Sequence, residues 1–401
     1  MKIGILRETK VPPDRRVPLT PEQCRRINEQ KGPLNVVVQP SGFRCFSDQE
    51  YKEAGVPLQE DLSDCDFLLG VKEVKTAALL PGKNYLFFSH TAKKQAGNRG
   101  LLQHLVKNGN RMTDYEYLVN EEGVRVVAFG HWAGVVGAYN GLRAWGLRNG
   151  TYTLKPAWEC LDYNEVQAQL RHIRAGEVRI AITGGGRVAG GALEVLRKAG
   201  FREVDHEGYL NNTYNEPVFT RLDPWNYTRR SDGRLFNFNH FVRCPGEYDN
   251  AFGPFAMATD IYMACHFWDP AAPPILTREM LLDRNCPVKV VADISCDLDG
   301  PVASTLRAST IAEPFYGYDP QSDSEAPEPF ARGIVTVMAV DNLPGELPRD
   351  ASAAFGTALT EHVIPALSDP GNEMIVRATI TANGALAERY AYLEDFLKGE
   401  A

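Results

Sequence analysis

The sequence has no cluster of positive charge. Its 43 Lys and Arg are outnumbered by 51 Asp and Glu, a formal charge of −8, and no Lys/Arg-rich run occurs. Phosphate-backbone binding depends on such clusters, so no nucleic-acid partner is expected. No run of 18 apolar residues is present, which argues against a membrane-spanning helix. The opening Met1-Lys-Ile-Gly-Ile-Leu6 reads as a strand with no secretory pattern, so a cytoplasmic protein is expected. The eight cysteines, at 24, 45, 65, 160, 244, 265, 286 and 296, form no Cys-x-x-Cys pair and no Cys/His set with zinc spacing. Reduced thiols and no metal follow as expectations. What remains is a globular chain of 401 residues, 44% hydrophobic and 23% charged, long enough for two or three domains.

Short apolar runs at Lys2–Leu6, Val36–Gln39, Phe67–Val71 and Tyr85–Phe88 read as buried strands. Thr20-Pro21-Glu22 begins a helix over 20–30, a cap followed by proline at the first helical position. Such alternation implies a largely parallel sheet between helices. Gly130–Gly150 reads as a long, mostly apolar helix linking two domains. A second alternation follows: a strand over Arg179–Thr183, a glycine loop over 184–191 and a helix over Ala192–Lys198 ended by Gly200, with later strands at Asp260–Ala264 and Val288–Asp293. Residues 208–255, dominated by Asn, Tyr, Phe and Arg, read as an irregular insertion packed on the second domain, and 321–328 as an acidic loop. The tail shows helical periodicity over Asp350–Leu367 and Ala382–Lys398.

Gly184, Gly186, Ala189 and Gly190 give G-x-G-x-x-A followed by glycine, directly between a strand and a helix. The first glycine permits the turn, the second lets backbone approach a pyrophosphate, and a small third residue allows close helix–strand packing. The helix start adds unpaired N–H groups for phosphates. Arg187 stands within the loop, in reach of a phosphate. The acidic residue that binds a ribose diol is expected at Asp205 or Glu207, after a short second strand, which favours NAD over NADP as cofactor.

Lys72 and His90 end two successive apolar runs. Carboxyl ends of parallel strands line the ligand crevice, so a lysine and a histidine meet at one edge, where partial desolvation suits both to moving protons. Lys10, Arg15 and Arg16 form a basic loop after the first strand, and Lys93 and Lys94 extend that positive edge. Arginine grips carboxylates bidentately, so the expected partner is an anionic, amino-acid-like small molecule.

Several stretches carry a resemblance: Gly4-Ile-Leu-Arg-Glu-Thr-Lys10 with Arg16-Val-Pro-Leu-Thr-Pro21, Gly70-Val-Lys-Glu73, Ser89-His-Thr-Ala-Lys-Lys-Gln-Ala-Gly97, Tyr115-Glu-Tyr-Leu118, Arg125-Val-Val-Ala-Phe-Gly130, the glycine loop, and Val340-Asp-Asn-Leu-Pro344 with Leu347-Pro-Arg-Asp-Ala-Ser352. In this order they resemble the alanine dehydrogenase/pyridine nucleotide transhydrogenase family, and within it the lysine-forming, NAD-dependent saccharopine dehydrogenases. The resemblance spans nearly the whole chain apart from about 208–255. It implies an α/β architecture of two Rossmann-like domains with parallel sheets separated by a cleft. Residues 1–129 with 350–401 would form the substrate domain and 130–349 the NAD-binding domain, the Gly130 helix serving as hinge. It makes Lys72 and His90 an acid–base pair, Arg16 and Lys93 substrate-carboxylate ligands, and Asp341 an acid beside the cofactor cleft. Asp297 falls where alanine dehydrogenases carry a catalytic aspartate. The implied reaction converts saccharopine, water and NAD to lysine and 2-oxoglutarate. Alternatives are alanine or another opine dehydrogenation, or a non-catalytic NAD-binding regulator. Two departures stand out: a glycine loop one residue shorter than in the fungal enzymes, with Val188 in place of a cysteine, and the 208–255 insertion.

Overall fold

A computed structural model describes residues 1–400 except 12, 13, 31 and 33, so Pro12 and Pro13 of the basic loop lie outside the described residues. The chain forms two compact units, residues 1–129 with 348–401, and residues 130–347.

The first unit is built on a seven-stranded sheet. Strands β1 (Lys2–Ile5), β2 (Asn35–Val38), β3 (Phe67–Leu69), β4 (Asn84–Phe87) and β5 (Arg111–Asp114) run parallel in the order β2-β1-β3-β4-β5. Their continuous apolar burial is what a sheet covered on both faces requires. Thr20 starts helix α1 (Pro21–Glu29) with a reciprocal cap: its hydroxyl accepts the Gln23 N–H at 3.3 Å, and the Gln23 side chain accepts the Thr20 N–H at 2.9 Å. A helix at Pro348–Ala358 stacks Phe355 on Phe129, with centroids 4.5 Å apart.

The end of the tail departs from the helix expected over 382–398. Thr379–Ala382 pairs antiparallel with β5, then turns back into Ala385–Leu386. Asn383 and Gly384, with φ of 53° and 77°, make the two-residue turn, since a left-handed pair matches the twist of a hairpin. Only Glu394–Lys398 is α-helical, after a 3-10 stretch at Glu388–Leu393.

The second unit opens with helix α2 (Gly130–Asn149). Its strands are β6 (Arg179–Thr183), β7 (Arg202–Glu203), β8 (Val218–Leu222), β9 (Thr228–Arg230), β10 (Tyr248–Asn250), β11 (Ile261–Ala264), β12 (Val290–Asp293), β13 (Phe315–Asp319), β14 (Ser324–Ala326) and β15 (Val335–Met338). The eight-stranded sheet runs β14-β13-β15-β12-β11-β6-β8-β7, parallel from β15 to β7 and antiparallel at β13 and β14. The chain leaves β6 on one side and returns at β11 on the other. Such a reversal is the switch point at which α/β sheets take ligands.

Residues 208–255 are not irregular. They supply β8, whose Val218-Phe-Thr-Arg-Leu222 lies beside β6, the antiparallel pair β9–β10, and a short helix at Phe238–Arg243. The acidic loop at 321–328 is largely the β13–β14 connection and strand β14. Helix α3 (Arg187–Lys198) begins earlier than the sequence suggests and lies directly against α2. A Cβ at Gly134 would stand 1.8 Å from the Val188 carbonyl oxygen, and one at Gly191 would stand 2.0 Å from that of His131. Only hydrogen fits at either point. Among the described residues, no helix is long and apolar enough to cross a membrane.

Candidate functional site

In the first unit, β3 and β4 are paired neighbours, and Lys72 and His90 follow their carboxyl ends. Both side chains are half-buried. Burial, then the nearby Arg16 guanidinium, holds the Lys72 ammonium below its ordinary range. Burial, then the charge of Lys72, lowers His90, while Glu116 pulls it back. His90 Nδ1 lies 3.9 Å from Glu116 Oε2. The His90 backbone is left-handed, φ 53°, a strained state for a residue with a side chain and one that collects at functional sites. Ser89 fixes the approach to it, donating its N–H at 3.0 Å and its hydroxyl at 2.6 Å to the buried Asp114.

Four cations around this pair are engaged by carboxylates. Arg16 forks onto Asp14 at 2.6 and 3.0 Å and lies 4.2 Å over the Phe129 ring. Burial pushes Asp14 up, yet Arg16 beside it prevails and holds it at about 2. Lys10 pairs with Glu73 at 2.9 Å, Lys93 with Glu116 at 2.8 Å, and Arg125 with Glu116 at 3.0 Å. Arg15 is exposed. Sequence reasoning passed over Glu8, although it stands in a quoted motif. Its carboxylate accepts the backbone N–H groups of Val71 at 2.7 Å and Lys72 at 3.0 Å, and burial lifts it to about 8 against those two bonds.

In the second unit, a pocket of about 820 Å³ opens at the strand-order reversal, lined by Gly184–Gly186, Asp223, His266 and Asp297 among others. Gly184 has φ 114°, and a Cβ there would stand 2.5 Å from the Cys265 carbonyl oxygen, so no larger residue makes this turn. A Cβ at Gly186 would meet nothing within 4 Å. That free space lies at the N-cap of α3, where unpaired N–H groups favour phosphate. Arg187 begins the helix and is exposed. Ala189 and Gly190 are helix residues rather than loop: Ala189 is buried, Gly190 faces open space, and the close packing falls to Gly191.

Asp205 and Glu207 do not line that pocket, though Asp205 shares a cavity of about 380 Å³ with Arg221 and Asp223. Both are exposed beyond the outer strand β7, and Asp205 caps the helix His206–Asn211 by accepting the Gly208 N–H at 2.8 Å. The strand beside β6 is β8, so the acid at the neighbouring strand end is Asp223. Its Oδ1 would be 2.7 Å from a Cβ at Gly185, and Arg221 pairs with it at 2.8 Å. Asp297 is half-buried, raised by burial and by Asp293. Asp341 is exposed after β15. Both acids lie near Cys296, whose thiol is pushed to about 12 by burial and then by Asp293, Asp341 and Asp297. The sequence also gave no weight to His266. Its Nδ1 is 2.7 Å from Thr183 Oγ1, burial drops it to about 4, and its Nε2 has no partner among the described residues. Cradle, helix start, strand-end acid and pocket size together fit a pyridine dinucleotide.

Residues 4–136 match the alanine dehydrogenase/PNT N-terminal domain family. Over 95% of its length the chain is 30% identical to the mitochondrial alpha-aminoadipic semialdehyde synthase of Bos taurus, of which it covers 46%. The chain therefore spans less than half of that relative. It is also 25% identical to the saccharopine dehydrogenase [NAD(+), L-lysine-forming] of Yarrowia lipolytica, covering 90% of each chain. A solved L-alanine dehydrogenase superposes with a TM-score of 0.66 at 17% identity, covering all of both chains. The chain is thus a homologue of saccharopine dehydrogenases with the α/β fold of alanine dehydrogenase.

Proposed function

We propose that the chain is an NAD-dependent amino-acid dehydrogenase that reversibly oxidises the secondary amine of saccharopine and releases L-lysine and 2-oxoglutarate. The observation that carries this reading is the pairing of Lys72 and His90 beyond neighbouring strand ends, each held below its ordinary pKa. The names of the saccharopine dehydrogenase relatives support the substrate class. In this reading the first unit handles the amino-acid substrate and the second holds the nucleotide, with Gly186 and the start of α3 at the pyrophosphate and Asp223 at the adenosine ribose. A carboxylate at the ribose accepts a 2′-hydroxyl and repels a 2′-phosphate, which favours NAD.

Bound nicotinamide supplies the hydride acceptor. Lys72 and His90 handle the protons. One takes the amine proton as the C–H bond breaks, leaving an imine on the substrate. One then takes a proton from the water that adds to the imine carbon. When the C–N bond breaks, the departing nitrogen is protonated from the same pair. Lowering His90 from its ordinary 6.5 favours its unprotonated ring as the base, and the reverse direction uses the protonated forms. Arg16, Lys10 and Lys93 offer cations to substrate carboxylates, which exchange with Glu73 and Glu116 at the two lysines.

A substrate panel tests the reading by NADH absorbance. Lysine with 2-oxoglutarate is expected to consume NADH, and pyruvate with ammonia is not. Consumption with pyruvate and ammonia alone overturns it. Lys72→Met combined with His90→Gln is expected to cut turnover by orders of magnitude with NADH affinity nearly unchanged.

A further inference from the structure

The segment 208–255 holds a side-chain cluster that dehydrogenation does not use. His240 lies on the short helix α4 (Phe238–Arg243), Cys244 follows on the same face one turn later, and Glu247 ends the 3-10 turn Pro245–Glu247. One donor atom from each lies within 4.8 Å of the other two. His240 Nε2 and Glu247 Oε2 are 3.4 Å apart. Two ligands each about 2.0–2.1 Å from one ion, at a tetrahedral angle, are separated by about that distance.

A second observation is independent of that spacing. The Tyr248 hydroxyl donates to the Asn237 carbonyl at 3.0 Å, which leaves its oxygen to accept, and His240 Nδ1 lies 3.3 Å away. The hydroxyl contact fixes the ring through Nδ1 and turns Nε2 toward Glu247. Metal-binding histidines are oriented in this way, through a partner on the other ring nitrogen.

We propose that His240, Cys244 and Glu247 bind one transition-metal ion, zinc by preference. A thiolate and a carboxylate balance a divalent charge, and a sulfur donor selects against magnesium and calcium. A cavity of about 460 Å³, lined by His240, Cys244, Arg230 and Arg243, leaves a fourth position for water or a small anion. Arg230 is already paired with Asp232 at 2.6 Å. The pattern His-x3-Cys-x2-Glu lacks paired Cys and His spacing because its third donor is a carboxylate, and it replaces the expectation of no metal. The other side of α4 presents Phe238, Phe241 and Val242 to the glycine-loop pocket. The ion would therefore pin the helix that forms one wall of that pocket.

Titration of the metal-stripped full chain with Co²⁺ alone tests this. The expected spectrum has intense visible bands of tetrahedral cobalt and a thiolate-to-cobalt charge-transfer band, saturating at one ion per chain and displaced by Zn²⁺. Cys244→Ser is expected to abolish the charge-transfer band. Tyr248→Phe is expected to weaken Zn²⁺ about 10- to 100-fold by freeing the ring. Glu247→Gln, at an exposed carboxylate, is expected to weaken it at least tenfold without moving the metal-free melting curve. No charge-transfer band in the wild type overturns the proposal, as does a band that survives Cys244→Ser. Zn²⁺ affinity unchanged in Glu247→Gln also overturns it, leaving the His240–Glu247 contact as an ion pair only.

Discussion

Glu8 grips Lys72 by the backbone, accepting its N–H at 3.0 Å beside that of Val71 at 2.7 Å. Burial lifts the Glu8 carboxyl from an ordinary 4.5 to about 8. Between those values the folded chain holds a proton that the unfolded chain has lost. Glu8 therefore contributes stability that is fully present below pH 4.5 and lost as pH rises through about 8. Glu8→Gln removes the titration, and urea midpoints across that window are expected to fall less steeply with pH than in the wild type. An unchanged slope would show that Glu8 titrates normally.

Asp14 has the opposite sign. Held at about 2 against an ordinary 3.8, it contributes stability present above pH 3.8 and lost as pH falls through about 2. Removing the partner strands a buried carboxylate, which costs about 3–5 kcal/mol for a broken buried pair. Arg16→Met is expected to lower the urea midpoint accordingly at neutral pH, and by less in acid, where the stranded Asp14 takes up a proton.

The pH profile of turnover reports on His90. Glu116 raises the imidazole pKa against burial and Lys72, so Glu116→Gln is expected to move the acid limb of kcat/KM for amine oxidation to lower pH. A limb that stays in place would separate His90 from the rate.

Asp223 and Asp205 test the proposed ribose contact. Asp223→Ser is expected to weaken NADH at least tenfold while improving NADPH relative to it, because Arg221 is then released for a 2′-phosphate. Asp205→Ala is expected to leave nucleotide affinity unchanged and to cost about 1 kcal/mol in urea unfolding through its lost cap. Calorimetric titration with each nucleotide decides between them.

The glycines divide similarly. Gly186→Val puts methyl groups into the free space at the start of α3 and is expected to abolish NADH binding in a folded protein. Gly134→Ala drives a methyl into the Val188 carbonyl and is expected to destabilise by about 3 kcal/mol or more, read as a lower melting temperature.

Much of this was legible from residue order. The buried parallel strands announce themselves as unbroken apolar runs, and Thr20-Pro21 with Gln23 is a local signal that needs no tertiary partner. The glycine loop was legible because its turn and cradle are backbone requirements. The acid at the strand end beside the glycine loop was not, because the strand order decides it: β7 is reached first along the chain, yet β8 lies against β6. Val218-Phe-Thr-Arg-Leu-Asp223 carried a signal, a short β-prone run ending in an acid, but the polar aromatic stretch around it masked the run. In the tail, Asn383-Gly384 was a hairpin signal set against a helical apolar period, and the turn chemistry won. Glu8 and Glu73 were invisible as partners because the groups they meet, the Val71 and Lys72 N–H and Lys10, lie more than sixty residues away.

Both sheets finish in very short strands: β7 has two residues, β14 three, and Ala385–Leu386 two. A neighbouring chain arriving at these margins finds too few free N–H and C=O groups to extend the ladder, the protection against edge-to-edge aggregation that short border strands give. Assembly with further copies at these three margins is thereby steered toward helices and loops, away from continuous β-pairing.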